Sequence, residues 1–353
     1  MKSLRKALHW LYTGAVIMAA GCSSPDFLSR EQAETILPAV TAELESRAAE
    51  FRSEMAKNAA AGAFVNGETL NFFAGMPDVL AERLAMLGIN EVYVAYDGEF
   101  FADGSYQSVL GNLLMELKKH NISARLAFKM SDTVWKRSPN FIVRNLIDPK
   151  HDILEEIMDE LNGFNRAYPD SPFTGVVFDM NVEAFSGHNL AVPGGQIYGW
   201  GENTFGIGRD NDMLMKDGFA ILEKLKAELP GIDIGCLFSS ELNTFAQEGK
   251  LSVGKVSDFA AAADTLFIRI DASASAEIVR AAAALLPQSG DKQSSLYLEL
   301  AVHAENNRPA LRRRSFRQFM TGLNAVNSGC GAYPEFRGMA FDSFAGLEDI
   351  WEK

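Results

Sequence analysis

Residues 172–185 read PFTGVVFDMNVEAF. A short apolar run, Gly175–Phe178, leads directly into Asp179, Asn181 and Glu183, three polar side chains at alternate positions. Alternate residues of an extended strand share a face, so a strand that persists through Glu183 points all three groups the same way. What such a strand end means depends on the pattern around it. Short apolar runs rich in Val, Ile and Phe recur at 62–66, 91–97, 123–129, 232–238, 265–271, 296–303 and 337–344, most of them with polar residues at or just after their carboxyl ends. With 175–181 this makes eight strand candidates.

Helical patterns fall between them, near 77–88, 105–120, 150–167, 210–229, 255–263, 275–287 and 311–328, with Pro77, Asp210 and Pro287 near their ends. Eight strands alternating with helices over about 290 residues predict a closed (β/α)8 TIM barrel spanning residues 59–353. No glycine fingerprint of the dinucleotide type follows the first strand, which argues against an open doubly wound sheet. In such barrels the reaction centre lies at the carboxyl ends of the strands. The polar residues expected around that mouth are Asp97, Lys129, Asp179, Asn181, Glu183, Glu241, Asp271, Glu299, His303 and Asp342.

The N-terminus carries a different message. Lys2, Arg5 and Lys6 precede an apolar run that closes on small residues, the layout of an export signal over residues 1–21. The ending Met18-Ala19-Ala20-Gly21-Cys22 resembles the bacterial lipobox, which implies cleavage before Cys22, lipid on its thiol and a membrane-anchored lipoprotein. Ser23 resembles the outer-membrane sorting class. Cleavage removes three cations and no anions, so the formal charge moves from −13 to −16, which disfavours nucleic acid as a partner. Residues 22–58 read as a tether followed by a helix over 31–58 that runs through Pro38, with Ile36, Val40, Leu44, Ala48 and Phe51 as its apolar stripe.

Neither Cys236 nor Cys330 has the spacing of a zinc or redox motif, and His9, His120, His151, His188 and His303 are dispersed. The expectation is no metal and no cofactor. No Gly-x-Ser-x-Gly elbow offers a serine nucleophile. A pair of carboxylates suits glycoside hydrolysis, one protonating the leaving oxygen while the other attacks or activates water. The glycine-rich connection 184–208 adds Tyr198 and Trp200, and the loop 130–141 adds Trp135. Aromatic faces beside acids suit a pyranose ring.

Two families share pieces of the fourth strand. Asp179-Met180-Asn181-Val182-Glu183 resembles the D-x-D-x-E run of family-18 chitinases, with Asn181 at the second aspartate, and implies Glu183 as proton donor. Val176 stands at that family's earlier aspartate, and Phe341-Asp342-Ser343-Phe344 lacks its eighth-strand tryptophan. Registering instead on Phe173 and Gly175 places Asn181 where the acid belongs. Val177-Phe178-Asp179-Met180-Asn181 is similar to the K-W-D-M-N strand end of family-36 α-galactosidases, and Arg269-Ile270-Asp271 to their R-x-D. That likeness implies Asp179 as nucleophile and Asp271 as acid/base. The expected function is a lipid-anchored, glycoside-hydrolase-like protein acting on envelope carbohydrate. Val176, Val177 and Asn181 favour the alternative, a non-catalytic carbohydrate-binding or polysaccharide-assembly barrel. A lyase or isomerase with Lys129 or Glu299 as base has no spacing in its favour.

Overall fold

A computed structural model of the chain describes residues 28–37, 40–96, 104–131, 153–186, 190–191, 197–272, 274–300 and 315–352. Cys22 and the export signal lie outside these residues, as do Asp97, Trp135 and His303.

All eight strand candidates form strands: β1 (Ala60–Val65), β2 (Glu91–Ala95), β3 (Ser123–Lys129), β4 (Gly175–Asp179), β7 (Asp233–Ser239), β8 (Thr265–Arg269), β9 (Gln293–Leu298) and β10 (Phe336–Phe341). Between β4 and β7 the two-residue strands β5 (Leu190–Ala191) and β6 (Ile197–Tyr198) pair antiparallel as a separate ribbon. The eight longer strands run parallel and close into a barrel, β1 meeting β2 on one side and β10 on the other. The closing seam depends on Gly338. Its φ is +149° and a Cβ there would stand 1.8 Å from the Ala60 carbonyl oxygen, so a side chain would force β10 off β1.

The barrel interior is layered. Phe64, Tyr93, Ala127, Val177, Leu237, Phe267, Tyr297 and Ala340, one residue from each long strand, pack together as its apolar middle. Tyr93 lies 4.7 Å from Phe64 and 5.2 Å from Phe267, ring centre to ring centre. Gly62, two residues below Phe64, leaves the space for this packing, since a Cβ on it would meet the Tyr93 ring at 2.3 Å. Below that layer a charged plug fills the amino-terminal end. Arg125 pairs with Glu91 and Asp233, Arg337 pairs with Glu91, and the Tyr93 hydroxyl donates to Glu91 at 2.8 Å. Above it, strand alternation brings Lys129, Asp179, Ser239 and Arg269 to the carboxyl end, with Glu299 and Asp342 just past their strands.

The N-terminal helix differs from expectation. It breaks around Pro38 into Arg30–Ile36 and Ala42–Met55, as a proline that removes an amide donor and crowds the preceding turn requires. The Thr41 hydroxyl caps the second piece by accepting from the Leu44 amide. Ala48 and Phe51 are buried, whereas Val40 is 38% exposed and lies off the stripe. Phe51 stacks 6.2 Å from Phe319 and 5.7 Å from Phe341, so this helix is part of the barrel's outer layer. Cys236 and Cys330 are both free and buried, and burial pushes the Cys330 thiol up to about 11.

Candidate active site at the barrel mouth

β4 ends at Asp179, so the three polar residues of the 172–185 stretch do not share a face. Asp179 is the last strand residue on the inward side, its side chain 13% exposed. Met180 leaves the ladder after one more hydrogen bond, from its amide to the Leu237 carbonyl at 2.8 Å. Asn181 is buried and turns sideways: its Oδ1 accepts from the Ser131 amide at 3.1 Å and its Nδ2 donates to the Ser131 hydroxyl at 3.0 Å. That bond ties the loop after β3 to the loop after β4. Glu183 then sits in a short 3-10 turn, Val182–Phe185, which folds its carboxylate back toward the barrel axis.

What brings Glu183 and Asp179 together is Arg269. The last residue of β8, it is 5% exposed and reaches across the mouth. Its Nη2 donates to Asp179 Oδ1 at 2.9 Å and its Nη1 to Glu183 Oε1 at 2.5 Å. Its Nε lies 3.9 Å from Glu299 Oε1, and the guanidinium carbon stands 5.6 Å from the centre of the Tyr297 ring. Burial by itself disfavours the guanidinium charge, but Asp179 and Glu183 outweigh it and hold the arginine's pKa above its ordinary value. Tyr297 carries the mirror effect. Burial raises its hydroxyl well above the usual range, and the charge of Asp342 adds to this while Arg269 opposes it.

Sequence reasoning assigned no role to Arg269. The signal was present in 265-TLFIR-269, where alternation puts Thr265, Phe267 and Arg269 on one face. In the Arg-x-Asp triplet the arginine is the residue that meets Asp179, and Asp271 lies two residues beyond the end of β8.

The other expected residues are dispersed around this centre. Glu299 directly follows β9. Asp342 directly follows β10, and its Oδ1 accepts from the Leu300 amide at 2.7 Å, holding the two strand ends together. Glu241 lies on an exposed first turn of the helix Ser240–Gln247, which Ser239 caps. Trp200 is half-buried in a cluster with Phe205 and Phe245, at 5.7 and 6.4 Å between ring centres. Tyr198 belongs to the short ribbon. Among the described residues no group of three or more His, Cys, Asp or Glu side chains is placed to hold a metal ion.

No protein-family profile and no curated protein sequence matches the chain. Solved structures do match in shape. A GH18 chitinase from Pseudoalteromonas aurantia superposes with a TM-score of 0.50 at 12% identity, covering 83% of this chain and 97% of that one. The chain shares its fold with glycoside-hydrolase barrels. A GH5_18 protein from Streptomyces cattleya in complex with GlcNAc matches at TM-score 0.51 and 13% identity, covering 81% of this chain and 71% of that one. A GH5_18 variant from Bifidobacterium longum in complex with Manβ1-4GlcNAc matches at 0.51 and 9%, with 80% and 69% covered. At these identities the likeness is one of architecture, and many chemistries use this architecture.

Proposed function

We propose that this is a lipid-anchored protein of the bacterial cell envelope that hydrolyses a glycosidic bond at the carboxyl mouth of its barrel. The observation that supports the reaction is the joint hold of Arg269 on Asp179 and Glu183 where an inward strand end meets the mouth. Both carboxylates accept charge-assisted hydrogen bonds there, the state a nucleophile or base works in. Asp179 attacks the anomeric carbon as the bond to the leaving oxygen breaks, and that oxygen takes its proton from Asp271 or Glu299. Water then attacks the glycosyl–enzyme ester, gives its proton back to the same carboxylate and releases Asp179. The GlcNAc and mannosyl-GlcNAc bound by two of the similar structures make N-acetylhexosaminides the first glycosides to try.

The test is a screen of aryl glycosides and envelope polysaccharides with wild type and Asp179→Asn. Loss of a nucleophile costs several kcal/mol of transition-state stabilisation, so turnover is expected to fall on the order of 10³-fold or more with the circular dichroism spectrum unchanged. Normal turnover by the variant overturns the assignment. A glycan bound equally well by both proteins, with none hydrolysed, selects the second reading, a carbohydrate-binding barrel. That reading draws on Asn181, whose amide is committed to Ser131. The anchor has its own test: Cys22→Ser is expected to lose lipid labelling and leave the membrane fraction, and retention there without lipid refutes it.

A further inference from the structure

The geometry points to Arg269 as the positioning residue of the mouth, the group that fixes Asp179 and Glu183 as one charged unit; this rests on the reading of the mouth as the reaction centre. Glu183 comes from a 3-10 turn rather than a strand, so the barrel ladder does not place it. The guanidinium does. A planar fork with two parallel N–H groups can hold two carboxylates in fixed relation, which a lysine ammonium, a single point charge, cannot.

The arginine is not arranged for its own satisfaction. Its side chain is 7% exposed, yet Nε is buried with no hydrogen-bond partner among the described residues, since 3.9 Å to Glu299 is beyond hydrogen-bond reach. A buried donor left without an acceptor is costly. At the other end of the barrel Arg125 pairs with Glu91 and Asp233 and leaves no orphaned nitrogen. The fold therefore holds Arg269 where its two Nη groups serve Asp179 and Glu183, at the expense of Nε.

The experiment compares wild type, Arg269→Gln and Arg269→Lys by carbodiimide labelling of carboxylates read by peptide mass spectrometry, alongside the thermal midpoint. In Arg269→Gln, labelling of Asp179 and Glu183 is expected to rise several-fold while Glu31 and Glu45 on the outer helices stay constant. In Arg269→Lys the rise is expected at Glu183, the more exposed of the pair at 31% against 13%, and not at Asp179. With any aryl glycoside that wild type turns over, kcat is expected to fall in Arg269→Gln with KM little changed, and to be partly restored in Arg269→Lys. Unchanged labelling at both residues, or an equal rise at every carboxylate, overturns the proposal and reduces Arg269 to a structural pair. The labelling pattern as expected with no glycoside turned over leaves the positioning role standing and removes the hydrolase reading.

Discussion

Two residues beyond Asp179 the chain has already left its strand, and Asn181 gives its amide to Ser131 instead of following Asp179 inward. The end of the apolar run 175–178 is enough to place Asp179 at the barrel mouth, because such barrels gather their polar residues at the carboxyl ends of the strands. Nothing local to residue 181 announces a partner 50 residues earlier in the chain. Arg269 was hidden for a related reason: an arginine at a strand end reads as a solvated charge until the two carboxylates from another strand and turn are seen around it. Asn181→Ala is expected to cost about 1 kcal/mol in urea unfolding, the worth of an ordinary side-chain hydrogen bond. It is also expected to speed proteolysis just after Ser131. A variant equally stable and equally resistant would mean that the two loops hold each other by other means.

Elements were legible where periodicity was long and illegible where capping decided. The helix Gly67–Phe73 starts on Asn66, whose Oδ1 accepts from the Thr69 amide at 3.0 Å, and Ser240–Gln247 starts on Ser239. Each is two turns long, too short for an apolar stripe to register. The last part of the connection after β4, Gly201 to Gly208, is likewise tied down through its glycines. Asn211 and Asp212, buried in the first turn of the helix Asp210–Glu228, stitch it from below. Asn211 bonds the Gly201 amide and carbonyl, and Asp212 accepts from the Gly208 and Ser252 amides at 3.2 and 2.6 Å. Burial opposes the Asp212 charge, but Lys216 and the bonds from Ser252 and Gly208 prevail and hold its pKa well below the usual carboxylate range. Asp212→Ala leaves those amides without their acceptor, so a loss of about 2 kcal/mol or more is expected on chemical denaturation. New protease cleavage is expected in 200–208 and 250–254. Cleavage elsewhere, with these two segments intact, would show that Asp212 is not the stitch.

At the scale of the whole molecule the barrel is polar at both ends and apolar between them, and the lower end offers a pH test of stability. Burial raises the Glu91 carboxyl, but the bond from Arg337 and the charge of Arg125 outweigh it, so its folded pKa lies below the ordinary 4.5. A depressed carboxyl contributes stability that is present above its unfolded pKa and is lost as pH falls through the folded one. Glu91→Gln breaks a buried network and is expected to cost about 3 kcal/mol or more near pH 7. The gap to wild type is expected to narrow only below about 4.5, the ordinary value from which the shift starts. A gap that is constant from pH 7 to pH 3 would show that charge at Glu91 contributes nothing. The eight-strand alternation made this architecture readable from sequence, whereas the plug was not, because Glu91, Arg125, Asp233 and Arg337 each stand near the amino end of a different strand and meet only after closure.

The helix Ala42–Met55 and the last helix, Phe344–Glu352, lie side by side. The Trp351 indole nitrogen donates to the Leu44 carbonyl at 2.6 Å, and Arg47 Nη1 donates to the Trp351 carbonyl at 3.0 Å. Residues 41–352 thus run once around the barrel and return to the helix they set out from, so the order of synthesis of this segment is one of several that the same contacts permit. Fusing residue 352 to residue 41 through a short glycine-serine bridge, and opening the chain instead at the exposed turn around Gly249, should yield a circular permutant that closes the same barrel. A cooperative thermal transition within a few degrees of the parent is the expected result. A permutant that never folds would mean that the seam between β1 and β10 needs those helices delivered from opposite ends of the chain.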